Sequence, residues 1–265
     1  MNSTETYRPR KRFGQNFLHD KNVVHRIVTY INPASGDQLV EIGPGLGVLT
    51  EALSERVKPV HAIEVDNDLV EHLRARFSPD QLILHHNDAL TFDLCSLAQK
   101  DKKIRLLGNL PYNISTPLIF HALENIDCIQ DMTFMLQKEV VQRICAAPGS
   151  KHYGRLSVMV QYWCRTQKLF EVGSGAFKPA PKVDSAIVYL QPYDELPVTV
   201  SDAGDFKRVV QAAFGQRRKT LRNSLKRLLD EEEIKILGIN PGQRAEVLDI
   251  YAFAALSNAV TDKNF

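Results

Sequence analysis

The tetrapeptide Asn109-Leu110-Pro111-Tyr112 combines an amide, a stiffened turn and an aromatic ring. At a strand end, that set suits the holding of a planar base by its exocyclic amine. The Asn109 side-chain oxygen accepts one N–H of such an amine. Pro111 fixes φ and has no N–H, which leaves the Leu110 carbonyl as a second acceptor. Tyr112 supplies a face on which a base stacks.

A second constellation lies upstream. Glu41-Ile42-Gly43-Pro44-Gly45-Leu46-Gly47 is a glycine turn that lets backbone approach a ligand closely. Its spacing is G-x-G-x-G, not the G-x-G-x-x-G of dinucleotide sites. A pyrophosphate needs a helix N-terminus clear of negative charge, yet Glu41 stands just before the turn. An acid there favours a ligand carrying positive charge and no phosphate, and S-adenosylmethionine, with an ammonium and a sulfonium, fits. Glu64 and Asp88 follow at the ends of the next two apolar runs. A carboxylate at the first position can hold ribose hydroxyls, and one at the second can accept from an adenine amine. Asp66 is expected to cap a helix together with Asp68.

The elements that must position these groups are legible as alternating apolar runs and helical patterns. Strands are expected at Gln38 to Ile42, Val60 to Val65, Leu82 to His86, Ile104 to Leu107 and Met132 to Leu136, with Gly108 as a hinge before Asn109. Helices are expected at Leu46 to Glu55 and Asp68 to Phe77. This alternation implies a parallel sheet covered on both faces, with ligands at its carboxyl edge. Leu156 to Cys164 fits helix or strand. Leu169 to Val172 and Ser185 to Gln191 read as a closing antiparallel pair. Composition shifts near Pro192 to Asp205, and the helical patterns beyond it mark a small second domain. The expected domains are therefore 1–195, with a basic arm over 1–20, and a helical 196–265.

At 265 residues the chain is long enough for this plan. The net charge of +2 does not by itself announce a polyanion partner, but its distribution does. Arg8, Arg10, Lys11 and Arg12 form one basic run, and Arg217, Arg218, Lys219, Arg222, Lys226 and Arg227 another. Cys95, Cys128, Cys145 and Cys164 form no CxxC pair, and no metal site is expected. They read as reduced, mostly buried thiols of a cytoplasmic protein. His85-His86 reads as structural, on a buried strand. No apolar stretch approaches membrane-spanning length, and neither a signal peptide nor an oligomer is indicated, so a monomer is expected.

With these motifs in view, the chain resembles the bacterial 16S ribosomal RNA adenine dimethyltransferase family, close kin of the erythromycin-resistance methyltransferases. Arg10 to Leu18, Val40 to Thr50, Asn109 to Pro117 and Phe177 to Ser185 (FKPAPKVDS) carry the likeness over nearly the whole chain. The resemblance implies an α/β fold: a class I, Rossmann-like methyltransferase sheet with a small C-terminal helical domain that binds RNA. It implies methyl transfer from S-adenosylmethionine to N6 of two adjacent adenosines near the 3′ end of 16S rRNA, within the small ribosomal subunit. Asn16, Leu18, Gly43, Glu64, Asp88 and Asn109 match the family's cofactor residues, with Ala89 beside Asp88. Asn109, Leu110, Tyr112 and Phe177 match its catalytic ones, Phe177 closing the face of the base opposite Tyr112. Leu110 stands where many amine methyltransferases have a second proline, which favours RNA over DNA. Asn113 to Pro117 and Phe177 to Ser185 look more like the small-subunit enzymes than the large-subunit resistance enzymes. A further role in subunit assembly is compatible with the same likeness.

Overall fold

The computed structural model describes residues 15–100, 102–216 and 218–263. The basic run from Arg8 to Arg12, and Arg217, lie outside them. Among the described residues no helix is long and apolar enough to cross a membrane.

The first half alternates as the apolar runs require: β1 Phe17–Leu18, α1 Lys21–Ile31, β2 Gln38–Ile42, α2 Val48–Ser54, β3 Val60–Glu64, α3 Asn67–Arg76, β4 Leu82–His86, β5 Ile104–Asn109, α4 Ser115–Glu124 and β6 Ile129–Gln137. After α5 Lys138–Ile144 come α6 Arg155–Trp163, β7 Cys164–Val172, β8 Phe177–Lys178 and β9 Ser185–Pro192. The ambiguous segment ending near Cys164 is thus a helix that runs directly into a strand.

Seven strands form one sheet in the order β4-β3-β2-β5-β6-β9-β7. The pairs β4-β3, β3-β2, β2-β5 and β5-β6 are parallel, and β9 joins β6 antiparallel. Strand order reverses at β2, so β2 and β5 are neighbours whose following loops diverge. That crevice is where open α/β sheets bind ligands.

The helices are set by their apolar faces. Val24, Ile27, Val28 and Ile31 of α1 recur at helical spacing and are all buried, each contributing roughly 1.5–3 kcal/mol against exposure. They join Leu49 and Leu53 of α2, and Leu39, Leu107, Met135 and Ile187 of the sheet, in one apolar cluster. Asp20 starts α1 by accepting from the Asn22 and Val23 N–H groups at 2.8 and 3.2 Å. Asp66 starts α3 in the expected way, accepting from the Asp68 N–H at 3.0 Å.

Three expectations are corrected. Gly108 is not a hinge, because β5 continues through it to Asn109. A Cβ at Gly108 would lie 2.4 Å from the Ile42 carbonyl oxygen, so glycine is required for the close approach of two backbones. The strand bearing His85 and His86 is the sheet's edge. His86 is exposed, while His85 Nε2 meets His61 Nδ1 at 3.0 Å. Burial lowers the pKa of both His61 and His85, and for His61 the neighbouring His85 adds to it. Finally, Cys95 and Cys128 are not separate thiols. They are joined as a disulfide with Cα atoms 5.4 Å apart across a sequence separation of 33. Cys95 is exposed and Cys145 half-buried, so of the four only Cys164 fits the buried-thiol expectation.

The chain divides into two compact units. One runs up to Val141 and takes in Gln167–Pro192; the other holds Gln142–Thr166 and everything from Tyr193 onward. Pro192–Tyr193 lies close to the boundary expected at 195, but the excursion through α6 belongs with the second unit. There α7 Ala203–Phe214, α8 Leu221–Ser224, α9 Glu231–Ile236 and α10 Ile250–Asp262 assemble around Phe206, Val209, Val210, Phe253 and Leu256. Thr261 Oγ1 donates to Asp205 Oδ2 at 2.9 Å, tying α10 to α7. Helix α8 is a single turn. Arg218, Lys219, Arg222, Lys226 and Arg227 are exposed there, and Arg222 reaches Glu231 at 3.7 Å.

Candidate active site

At the carboxyl edge of the sheet the loops after β2, β3, β4 and β5 surround a cavity of about 290 Å³. Asn16, Leu18, Gly43, Glu64, Asp88, Ala89, Asn109, Leu110 and Tyr112 all line it. Residues from four strand ends and the N-terminal strand thus converge on one space. Phe177 does not line it.

The glycine turn forms the floor. Gly43 and Gly45 sit at φ 63° and 58°, where a side chain would be strained. A Cβ on Gly45 would come within 2.9 Å of the Phe17 ring, so β1 closes down on the turn only because position 45 has no side chain. No atom of the described residues lies within 4 Å of the corresponding point on Gly43, which leaves backbone open to a ligand.

Among the described residues three acids line the cavity, Glu41, Glu64 and Asp88, and no lysine, arginine or histidine does. Glu41 is buried, and Thr50 Oγ1 donates to its Oε2 at 2.6 Å. Burial pushes the Glu41 carboxyl up to about 7; the Thr50 hydrogen bond opposes this and the nearby Glu64 charge reinforces it. Glu64 Oε1 accepts from the Val65 and Asp66 N–H groups at 2.9 and 3.0 Å. Its pKa is also raised, chiefly by burial and against those hydrogen bonds. Asp88 is exposed and turns Oδ1 back to the Leu90 N–H at 2.9 Å. Val65, beside Glu64, is 44% exposed although the strand it follows is buried. That is an apolar surface facing the same cavity, and its β-branched type had been read only as strand.

The tetrapeptide Asn109-Leu110-Pro111-Tyr112 is held from both sides. Asn109 Nδ2 donates to the Asn16 carbonyl at 3.0 Å, which orients the amide and leaves Oδ1 to accept. The Leu110 N–H donates to the Met135 carbonyl at 3.1 Å, and the Pro111 carbonyl accepts from the Ile114 N–H at 3.1 Å. The Leu110 carbonyl takes no donor among the described residues. Tyr112 is partly buried, with its hydroxyl 2.6 Å from Ser185 Oγ.

Phe177 lies elsewhere than the resemblance suggests. It is 3% exposed and packs in the apolar cluster that also holds Leu18, Ala176 and Ile187. β8 pairs with β1 there, Leu18 opposite Phe177 and Phe17 opposite Lys178. The ring meets a base only if this small sheet shifts. The same pairing explains Asn16 and Leu18, whose place in the site no residue chemistry foretold: β1 is pinned across the cavity by β8, by Asn109 and by Gln15, whose Nε2 donates to Asp66 Oδ2 at 3.2 Å.

Comparisons with known proteins agree with this geometry. The family described as ribosomal RNA adenine dimethylase matches residues 7–262. Ribosomal RNA small subunit methyltransferase A of Pseudomonas aeruginosa is 52% identical, over 99% of this chain and 98% of that protein. The protein of the same name from Aromatoleum aromaticum is 51% identical, over 97% and 96%. Among solved structures, a dimethyladenosine transferase from Plasmodium falciparum superposes with a TM-score of 0.78 at 24% identity, covering 94% of this chain and 98% of that one. The 23S rRNA methyltransferase ErmE gives 0.71 at 24% identity, covering 93% and 100%. At that identity these two structures establish the shared class I methyltransferase fold.

Proposed function

This chain belongs to the ribosomal RNA adenine dimethylase family, and we propose that it uses S-adenosylmethionine to dimethylate N6 of two adjacent adenosines near the 3′ end of 16S rRNA, in the small ribosomal subunit, acting as a monomer. One observation carries the choice of cofactor: a partly buried cavity lined, among the described residues, by three acids and no base. Such a site repels phosphate and favours a cation. S-adenosylmethionine fits it and, when bound, supplies a methyl group on a sulfonium.

The residues divide the work. Glu64 keeps one oxygen on backbone N–H groups and presents the other to ribose hydroxyls. Asp88 accepts from the cofactor's adenine amine, with Val65 and Ala89 against the ring. Gly43 leaves room for the amino-acid end, and Asn16 and Leu18 form the wall over it. At the target base, Asn109 Oδ1 and the Leu110 carbonyl accept the two N6 protons. Both acceptors favour a pyramidal nitrogen with its lone pair localised, so that most of the acceleration is alignment. Tyr112 stacks on one face. Phe177 is the second stacking residue once β8 moves aside. The exposed cations of the second unit, Arg218 to Arg227, contact RNA phosphates, so binding weakens steeply with salt.

The deciding assay incubates the protein with S-adenosylmethionine and undermethylated small subunits, and in parallel with large-subunit RNA. Dimethyladenosine from the small subunit alone is expected by nucleoside mass spectrometry. Product only from large-subunit RNA would transfer the chain to the resistance-type reaction. No product, with subunits still bound, would make subunit assembly its function.

A further inference from the structure

The Tyr112 ring is not held by its own turn alone. Its hydroxyl lies 2.6 Å from Ser185 Oγ, across a sequence separation of 73. Ser185 is completely buried. It opens β9 in register with Gln137 of β6, and the Lys138 N–H donates to the carbonyl of the preceding Asp184 at 3.0 Å. The serine hydroxyl is therefore fixed to the sheet and cannot follow a moving ring. At the other end of Tyr112, Ser115 Oγ donates to the backbone carbonyl at 3.2 Å. Backbone and phenol are both tethered, and only the faces of the ring remain to meet a ligand. Ser185 does not line the cavity, so it acts on the site only through the tyrosine. A serine that merely satisfied its own hydroxyl would bond a nearby carbonyl; this one reaches a side chain on the cavity rim.

We infer that Ser185 is a positioning residue, holding the Tyr112 ring, through its hydroxyl, at the tilt that receives the target adenine. This rests on the reading of Tyr112 as the stacking face. A ring freed at its phenol end samples orientations in which the amine is out of line with the methyl donor. The loss then falls on RNA turnover and leaves cofactor binding alone.

A double-mutant cycle tests the coupling. Ser185→Ala, Tyr112→Phe and the double variant are compared with wild type in kcat/KM for the RNA at saturating cofactor. Each single change is expected to lower kcat/KM about 5–10-fold, the worth of one hydrogen bond. Ser185→Ala in the Y112F background should add less than about twofold, because the phenol it holds is gone. Ser185→Thr, which keeps the hydroxyl, should recover most of the activity, and cofactor Kd should be unchanged throughout. An additive cycle, or an unaffected S185A, would overturn the proposal.

A second readout needs no RNA. In protein carrying 13C at tyrosine Cζ, Ser185→Ala should move the Tyr112 titration upward, because burial already raises that phenol and the Ser185 hydrogen bond opposes the rise. An unmoved titration overturns the contact itself. Should S185A not fold, Ser185→Cys carries both measurements. A wild-type protein that methylates no adenosine would sink the functional reading. An active wild type with an additive cycle would sink the positioning role alone.

Discussion

The two edges of the central sheet treat buried charge in opposite ways. At the amino edge, Arg105 of β5 reaches Asp131 of β6 at 3.0 Å, Asp37 before β2 at 2.7 Å, and the Ile31 carbonyl that ends α1 at 2.7 Å. Burial works against this guanidinium, yet the hydrogen bonds and charges of Asp131 and Asp37 more than offset it and raise its pKa. Arg105, Asp131 and Asp37 are thus paired with one another within the fold. At the carboxyl edge, Glu41 and Glu64 are as buried as Asp131, but among the described residues no basic side chain lines their cavity. The contrast separates charge that holds the protein together from charge kept for a ligand. The first kind is complete in the folded chain, and the second is completed by what binds.

The largest effect should come from breaking the complete edge. Arg105→Ala leaves the buried Asp131 and the half-buried Asp37 without their counter-ion and should destabilise the protein by about 3–5 kcal/mol in denaturant unfolding. A loss below about 1 kcal/mol would show that this edge is not charge-balanced after all. Asn109→Ala should do the reverse, lowering turnover by on the order of a hundredfold, as a misplaced reacting group does, while the unfolding midpoint hardly moves. Full activity in that variant would remove the amide from the mechanism.

Glu41→Gln sharpens the comparison further. A carboxyl held at about 7 in the fold against about 4.3 unfolded keeps its proton longer in the native state. Stability from this group is therefore full at low pH and is lost as pH rises through about 7. The amide variant should be more stable than wild type at pH 8, by on the order of 1–3 kcal/mol, and should bind the cationic cofactor more weakly. Wild-type cofactor affinity should rise with pH up to about 7 and then level, because the bound cation favours the ionised carboxylate. Titration calorimetry across pH would show that slope in wild type and its absence in E41Q. The smallest effect is expected from Asp88→Asn, a roughly 3–10-fold weaker cofactor with apo stability unchanged, since the Asp88 side chain is exposed.

Much of this was legible in the sequence because the relevant signals are local. Apolar runs of four to six residues announced the parallel strands, and polar residues at four successive strand ends announced the site. The glycine turn was legible for the same reason. What escaped depends on contacts between distant segments. Two-residue strands such as β1 and β8 have no periodicity to betray them. Gly108 reads as a hinge until the Ile42 carbonyl is seen against it. Cys95 and Cys128 are neighbours only after the β4–β5 connection meets the turn after α4. Phe177 was placed at the base by resemblance, and its burial follows from pairing with Leu18. Ser185 reads in the sequence only as the start of a strand and the last residue of a motif. Its role could have been suspected there, since a hydroxyl opening an otherwise apolar strand needs a partner.

The pairing of β1 with β8 also sets an order of events. Phe17 and Leu18 leave a ribosome about 160 residues ahead of their strand partners, Phe177 and Lys178. Until then the wall over the glycine turn lacks its strand partner, although β2 to β6 are already synthesised. A nascent chain can therefore build most of its sheet before it can close the wall over this cavity.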